Sequence, residues 1–122
     1  MAKKILVVDD EAEIVFLIKR RLIKNGYEVI AANNGTDALI LAKEQRPELM
    51  VLDVMMPEPN GLEVCRRLKS DPPHQSIKII LLTAKDQQKD KNLGQLVGAD
   101  LYMTKPFEPD DLVLKVKALL GD

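Results

Sequence analysis

Leu49-Met50-Val51-Leu52-Asp53 is a short, unbroken apolar run that ends on a carboxylate. A strand without polar alternation is one buried on both faces, as in a parallel sheet covered by helices. Two other runs share the plan. Ile5-Leu6-Val7-Val8 passes into Asp9-Asp10, and Ile79-Ile80-Leu81-Leu82 passes into Thr83. Weaker strand patterns cover 27–31 and about 100–104, the second leading into Lys105-Pro106. Five strands are therefore expected, at 4–8, 27–31, 49–52, 77–82 and about 100–104.

Helical patterns fill the intervals. The first spans about 12–25, with Ile14, Leu17, Ile18 and Leu22 expected on one face and Gly26 as its stop. The second follows Asn34-Gly35, turns Ala38, Leu39 and Ala42 inward and ends before Pro47. A third starts after Asn60 with Leu62, Cys65 and Leu68 on one stripe. A fourth covers about 86–97; it is weakly apolar and carries Gly94 in its interior, a cost of ~1 kcal/mol relative to Ala. The last opens on Pro109 with Asp110 and Asp111 behind it, which suits a helix amino terminus and needs no other role. Its inward residues are Leu112, Val116, Leu119 and Leu120, and Gly121 closes it. The loop from Ser70 to Ser76 reads as a plain surface connection.

Strand–helix alternation with right-handed crossovers gives an α/β, doubly wound, three-layer fold. Residues 1–122 read as one domain. A formal net charge of -1 offers no bulk basic field for nucleic acid or anionic lipid. No apolar run approaches the ~20 residues a membrane-spanning helix needs. Met1-Ala2-Lys3-Lys4 leads straight into a strand without the pattern of a signal peptide. A single cysteine, Cys65, excludes an internal disulfide and a cysteine metal cluster. A cytoplasmic protein with no direct nucleic-acid or membrane partner is the expectation.

In an open α/β sheet, ligands bind beyond the carboxyl ends of the strands. Asp9, Asp10, Asp53, Thr83 and Lys105 all fall there. Two unit charges ~4 Å apart repel by ~4 kcal/mol at an effective dielectric of ~20, so three gathered carboxylates call for a compensating cation. A hard divalent ion with oxygen ligands meets that need, and magnesium suits a site with few protein oxygens. Asp10-Glu11-Ala12-Glu13 also matches a helix amino-terminal cap, so Asp10 has a purely structural reading as well. Beside a metal, Asp53 becomes a candidate nucleophile for phosphoryl transfer. Lys105 can supply a second positive charge, and Thr83 a hydroxyl donor.

These residues stand in four ordered pieces: Val8-Asp9-Asp10; Asp53-Val54-Met55-Met56-Pro57 with Asn60-Gly61; Thr83-Ala84; and Tyr102-Met103-Thr104-Lys105-Pro106-Phe107. In them the chain resembles the receiver domain of two-component response regulators over essentially its whole length. The resemblance implies a flavodoxin-like fold with five helices and strand order 2-1-3-4-5. It implies that Asp53 takes a phosphoryl group from a sensor histidine kinase or phosphotransfer protein. Asp10, Asp53 and the main-chain carbonyl of Met55 would hold Mg2+ (or Mn2+), with Asp9 acting through a coordinated water. Lys105 would pair with the phosphoryl group across a cis Lys105–Pro106 bond. Thr83 would move toward that group and Tyr102 would swing inward, with the small Ala84 leaving access. The fourth helix, fifth strand and fifth helix would form the face that controls a downstream protein or output domain, with phosphorylation-dependent homodimerisation open.

Met55 and Lys85 occupy the positions that in receivers tune phosphoryl lifetime, and an apolar Met55 beside Lys85 implies slow self-dephosphorylation. Pro59 stiffens the loop after the acceptor. His74, in a loop after two prolines, is a poor phosphodonor. Three rivals remain: a small aspartyl-phosphate hydrolase, a flavodoxin-like redox carrier and a phosphorylation-independent interaction module. The hydrolase usually has a second acid two residues after its nucleophile, where Met55 stands. The redox carrier wants a hydroxyl- and glycine-rich loop where this chain has Asp9-Asp10-Glu11-Ala12. The interaction module would not need all five site residues. Receiver chemistry is self-catalysed, so a switch describes it better than an enzyme. The chain reads equally as a stand-alone receiver or as a piece of a longer regulator.

Overall fold

The computed structural model describes residues 2–84 and 97–122. Its strands are β1 (Lys4–Val8), β2 (Glu28–Ala32), β3 (Leu49–Asp53), β4 (Lys78–Ala84) and β5 (Leu101–Lys105). Among the described residues the helices are α1 (Ala12–Lys24), α2 (Gly35–Gln45), α3 (Gly61–Lys69) and α4 (Pro109–Leu120). The helix expected over about 86–97 falls almost wholly outside the described residues.

All five strands are parallel in one sheet of order β2-β1-β3-β4-β5, the flavodoxin-like order. The central β3 is buried at every position, as its unbroken apolar run requires. Because side chains alternate across a strand, each strand feeds two cores. Leu6, Val8, Met50, Leu52, Ile79 and Leu81 face α2 and α3 through Ala38, Ala42, Val64 and Leu68. Ile5, Val7, Val51, Ile80 and Leu82 face α1 and α4 through Ile18, Leu22, Leu112 and Val116.

Helix boundaries have local causes. Asn34 caps α2, its side chain accepting from Asp37 N at 2.8 Å, and Asn60 caps α3 by accepting from Glu63 N at 3.0 Å. Pro109 opens α4, and Gly121 closes it in the left-handed region at φ 74°. α1 departs from expectation at its start. Glu11 is its N-cap residue, without a side-chain cap, and Asp10 caps nothing. Instead Asp9 Oδ1 accepts from Glu11 N at 2.9 Å, which fixes the turn that leads into the helix.

Three other readings are corrected. Leu17 is 39% exposed and sits beside exposed Phe16 rather than in the core, because Ile18 and Leu22 already fill the space under α1. The loop after α3 is more than a surface connection, since His74 is buried with its Nδ1 2.8 Å from Asp71 Oδ2. Lys69 ties down the same loop by donating to Gln75 O and Ile77 O and pairing with Asp100. Finally, β3, β4 and β5 run further than their apolar runs suggest, so Asp53, Thr83 and Lys105 belong to the strands themselves. Strand pairing carries them, with Asp53 opposite Leu82 and Ala84 opposite Lys105.

Candidate functional site

The strand ends bring one carboxylate group from each of Asp9, Asp10 and Asp53 together, with oxygens all within 4.8 Å of one another. Asp9 and Asp53 are buried, at 0% and 2% exposure, while Asp10 lies at the surface. Lys105 reaches into the cluster from the end of β5. Its Nζ stands 2.9 Å from Asp9 Oδ2, 3.4 Å from Asp53 Oδ1 and 3.4 Å from Glu11 Oε1. Asp53 Oδ1 also accepts from Met55 N at 3.2 Å.

Among the described residues one ammonium faces these carboxylates, which leaves an excess of negative charge that bears on Asp53. Burial, then the charge of Asp9, pushes its carboxyl up to about 6, although Lys105 and the Met55 N–H pull the other way. For Lys105, burial works against the ammonium, but the bond to Asp9 and the charges of Asp53 and Asp9 outweigh it and hold its pKa above the usual value. The donor set is all oxygen, closely spaced and short of positive charge, and it fits a hard divalent cation.

The cluster opens to solvent through a cleft of about 430 Å³ lined by Asp10, Glu11, Asp53, Met55, Ala84 and Lys105. Thr83 is buried in β4, one residue beyond the Leu82 that pairs with Asp53. Tyr102 is half-buried in β5, opposite Leu81, against the core under α2 and α3. Lys105–Pro106 is cis, as the resemblance implies; Glu58–Pro59 is also cis. Lys85 lies outside the described residues.

Sequence reasoning missed the part of Glu11 and the contacts that Gly35 and Gly61 make. Glu11 is a third acidic partner for Lys105, and its only signal is its place directly after Asp9-Asp10. Gly35 and Gly61 each press against the loop that follows Asp53. A Cβ at Gly61 would fall 2.4 Å from Asp53 O, and one at Gly35 would fall 1.9 Å from Pro59 O. The Asn-Gly pairs signal helix starts, but nothing in them says which loop they touch.

A parallel 2-1-3-4-5 sheet with acids and a lysine at its carboxyl edge defines a receiver, and comparison with known proteins agrees. Residues 5–117 match the response regulator receiver domain family, and the chain belongs to it. It is 50% identical over 120 residues to the alkaline phosphatase synthesis transcriptional regulatory protein PhoP of Bacillus subtilis (strain 168). That match covers 98% of this chain and 49% of the relative, so the chain spans about half the length of that curated protein. Among solved structures, the signal receiver domain of a signal transduction histidine kinase from Syntrophus aciditrophicus superposes with a TM-score of 0.92 at 36% identity, covering 98% of this chain and 91% of that one. The chemotaxis response regulator CheY4 of Vibrio cholerae gives 0.90 at 30% identity, covering 98% and 99%. Receivers of this family bind magnesium at an acidic pocket and interact with histidine kinases or phosphotransfer proteins. Among the described residues no helix is long and apolar enough to cross a membrane.

Proposed function

We propose that residues 1–122 act as a single receiver domain that switches when Asp53 is phosphorylated by a histidine kinase or phosphotransfer protein. The observation that carries this reading is the position of Asp53. It is a buried carboxylate at the end of the central strand, within 4.8 Å of Asp9 and Asp10 oxygens and 3.4 Å from an ammonium. In the transfer, an Asp53 oxygen attacks phosphorus as the phosphorus–nitrogen bond of a phosphohistidine breaks. The imidazole leaves with the electron pair.

Asp10, Asp53 and the Met55 carbonyl would hold Mg2+ (or Mn2+), with Asp9 beside them. The bound cation supplies neutralising charge for the entering phosphoryl oxygens. Lys105 pairs with the same oxygens from its place at the end of β5. Thr83 donates its hydroxyl to the phosphoryl group, and Tyr102 follows inward. The readout face comprises the segment over about 86–97, β5 and α4, and it acts on a downstream protein or output domain in the cytoplasm.

Met55 is exposed and lines the cleft, where an apolar side chain cannot orient an attacking water. With Lys85, it gives the phosphoryl group a long life. Met55→Asn should shorten the half-life of the phosphoprotein, and an unchanged half-life would remove this part of the reading.

The decisive measurement is intact-protein mass after incubation with acetyl phosphate, with magnesium or with EDTA, for wild type and Asp53→Asn. The expected result is one magnesium-dependent phosphoryl adduct on wild type and none on the variant. An adduct that persists in Asp53→Asn would overturn the assignment. No adduct on wild type from acetyl phosphate or from any phosphohistidine donor would favour an interaction module that works without phosphorylation.

A further inference from the structure

The loop that joins β3 to α3 carries Met55, whose N–H holds Asp53 Oδ1 and whose carbonyl is assigned to the cation. One end of this loop is fixed by the sheet, where Val54 N donates to Leu82 O at 2.9 Å, and the other by the Asn60 cap. Between these ends the loop is pressed by an element that has no side chain in the acidic cluster, the amino terminus of α2. Gly35 is the first residue of that helix and is buried. A Cβ there would meet Pro59 O at 1.9 Å, Pro59 Cγ at 2.8 Å and Pro59 C at 2.9 Å. Two of those atoms are backbone, so no rotamer change relieves the overlap; either the loop or the helix must move.

We infer that Gly35 is a positioning residue for the acceptor loop: α2 is a backstop whose bare first residue sets where Pro59, and through it Met55, sits against Asp53. The inference rests on the proposed role of the Asp53 site. It adds that the cation and phosphoryl geometry depends on a helix that contributes no ligand. Gly61 makes the matching contact from α3, pressing on Asp53 O and Val54 Cα, so the loop is gripped near both its ends. Asn34 stands beside Gly35 but acts differently. It caps α2 through Asp37 N, and its side-chain hydrogen bonds run to Asn33 and Asp37, none of them in the loop.

That difference supplies the test. Magnesium dissociation constants would be measured by calorimetry on wild type, Gly35→Ala, Asn34→Ala and Pro59→Gly, each verified as folded at the working temperature. Melting in EDTA would report stability separately, and acetyl phosphate labelling at saturating magnesium would report chemistry. Gly35→Ala should weaken magnesium by about tenfold, the scale of a lost supporting contact around a metal site, and slow labelling. Asn34→Ala should lower the melting point in EDTA and leave the magnesium constant at the wild-type value. If Gly35→Ala does not fold, Pro59→Gly carries the test, since removing the ring from the seat should weaken magnesium in a folded protein.

A wild-type magnesium constant in Gly35→Ala would overturn the inference. So would equal weakening in Asn34→Ala, which would reduce the effect to general destabilisation. So, if Pro59→Gly carries the test, would a wild-type constant in that variant. Wild type that neither binds magnesium nor accepts a phosphoryl group would refute the site assignment itself and the inference with it.

Discussion

The two edges of the sheet hold similar side chains in opposite arrangements. At the amino edge, charges have individual partners. Lys3 Nζ binds Asp122 Oδ1 at 2.7 Å and Leu120 O at 2.8 Å, and Tyr27 OH donates to Asp122 Oδ2 at 2.6 Å. Lys4 donates its backbone N–H to Glu48 and places its ammonium against Gln45 and Glu28. At the carboxyl edge, among the described residues, Lys105 is the one ammonium shared by Asp9, Asp53 and Glu11, and Asp10 has no side-chain hydrogen bond or ion pair. Backbone geometry is alike at both edges. Among the described residues the two edges differ in how many acids share one ammonium: three at Lys105, against one each at Lys3 and Lys4.

The contrast can be broken most completely at Asp10. Asp10→Asn should abolish the magnesium-dependent rise in melting temperature while leaving the metal-free protein as stable as wild type or slightly more so, by less than about 1 kcal/mol because Asp10 is exposed. Denaturant melts with and without magnesium measure both effects. A strongly destabilised metal-free variant would show that repulsion among the acids is not what governs this edge.

A smaller effect separates the edges by pH. The folded pKa of Asp53 stands at about 6, above its ordinary 3.8, so the metal-free folded state binds the proton more tightly than the unfolded chain. Its contribution is present below pH about 4 and is lost as pH rises to about 6, on the order of 2–3 kcal/mol. Chemical melts in EDTA across that window should show the decline, and Asp53→Asn should flatten it.

At the amino edge the sign is the same but the window lies far higher. Burial, then the bond to Asp122, pushes the Tyr27 phenol up to about 12. Its contribution should hold below pH about 10 and fade as pH rises toward 12. Tyr27→Phe should cost about 1 kcal/mol at neutral pH, read from a denaturant midpoint, without changing magnesium affinity.

The smallest effect is on the surface of α3. Glu63 accepts from Arg66 and Arg67, whose bonds bring its carboxyl down to about 2. Glu63→Gln should lower stability slightly at pH 7, with the difference from wild type vanishing as pH falls from about 4.5 to 2. Thermal melts across that range would check it.

The carboxyl edge was largely legible in sequence because unbroken apolar runs ended on the side chains that gather there. Short length and β-branched content mark such runs as buried strands, and each delivered Asp9, Asp53 or Thr83 to the carboxyl edge of the sheet. Asn34 and Asn60 were legible as helix starts for a local reason, the reach of a short amide to a backbone N–H three residues on. Contacts set by distant parts of the chain were not legible. Asp10 looked like a cap, but the helix starts one residue later with Glu11 at its N-cap, and Leu17 looked inward until Ile18 and Leu22 filled the space. His74 looked solvated, yet the packed loop encloses it. The pressure of Gly35 on Pro59 joins residues 24 apart, and no local pattern encodes it.

The parallel register has a consequence for quality control. Lys105 meets Asp9 and Asp53 only because β5 pairs with β4 at Ala84, β4 with β3 at Leu82, and β3 with β1 at Leu52. A slip of one residue in any of these pairings would displace the ammonium by ~3.3 Å and turn it to the opposite face. On the proposed reading of Asp53 as phosphoacceptor, acceptance of a phosphoryl group becomes a proofreading signal for the whole sheet. On that reading a misthreaded molecule would stay silent to a phosphodonor, even if it is compact and keeps its helices by spectroscopy.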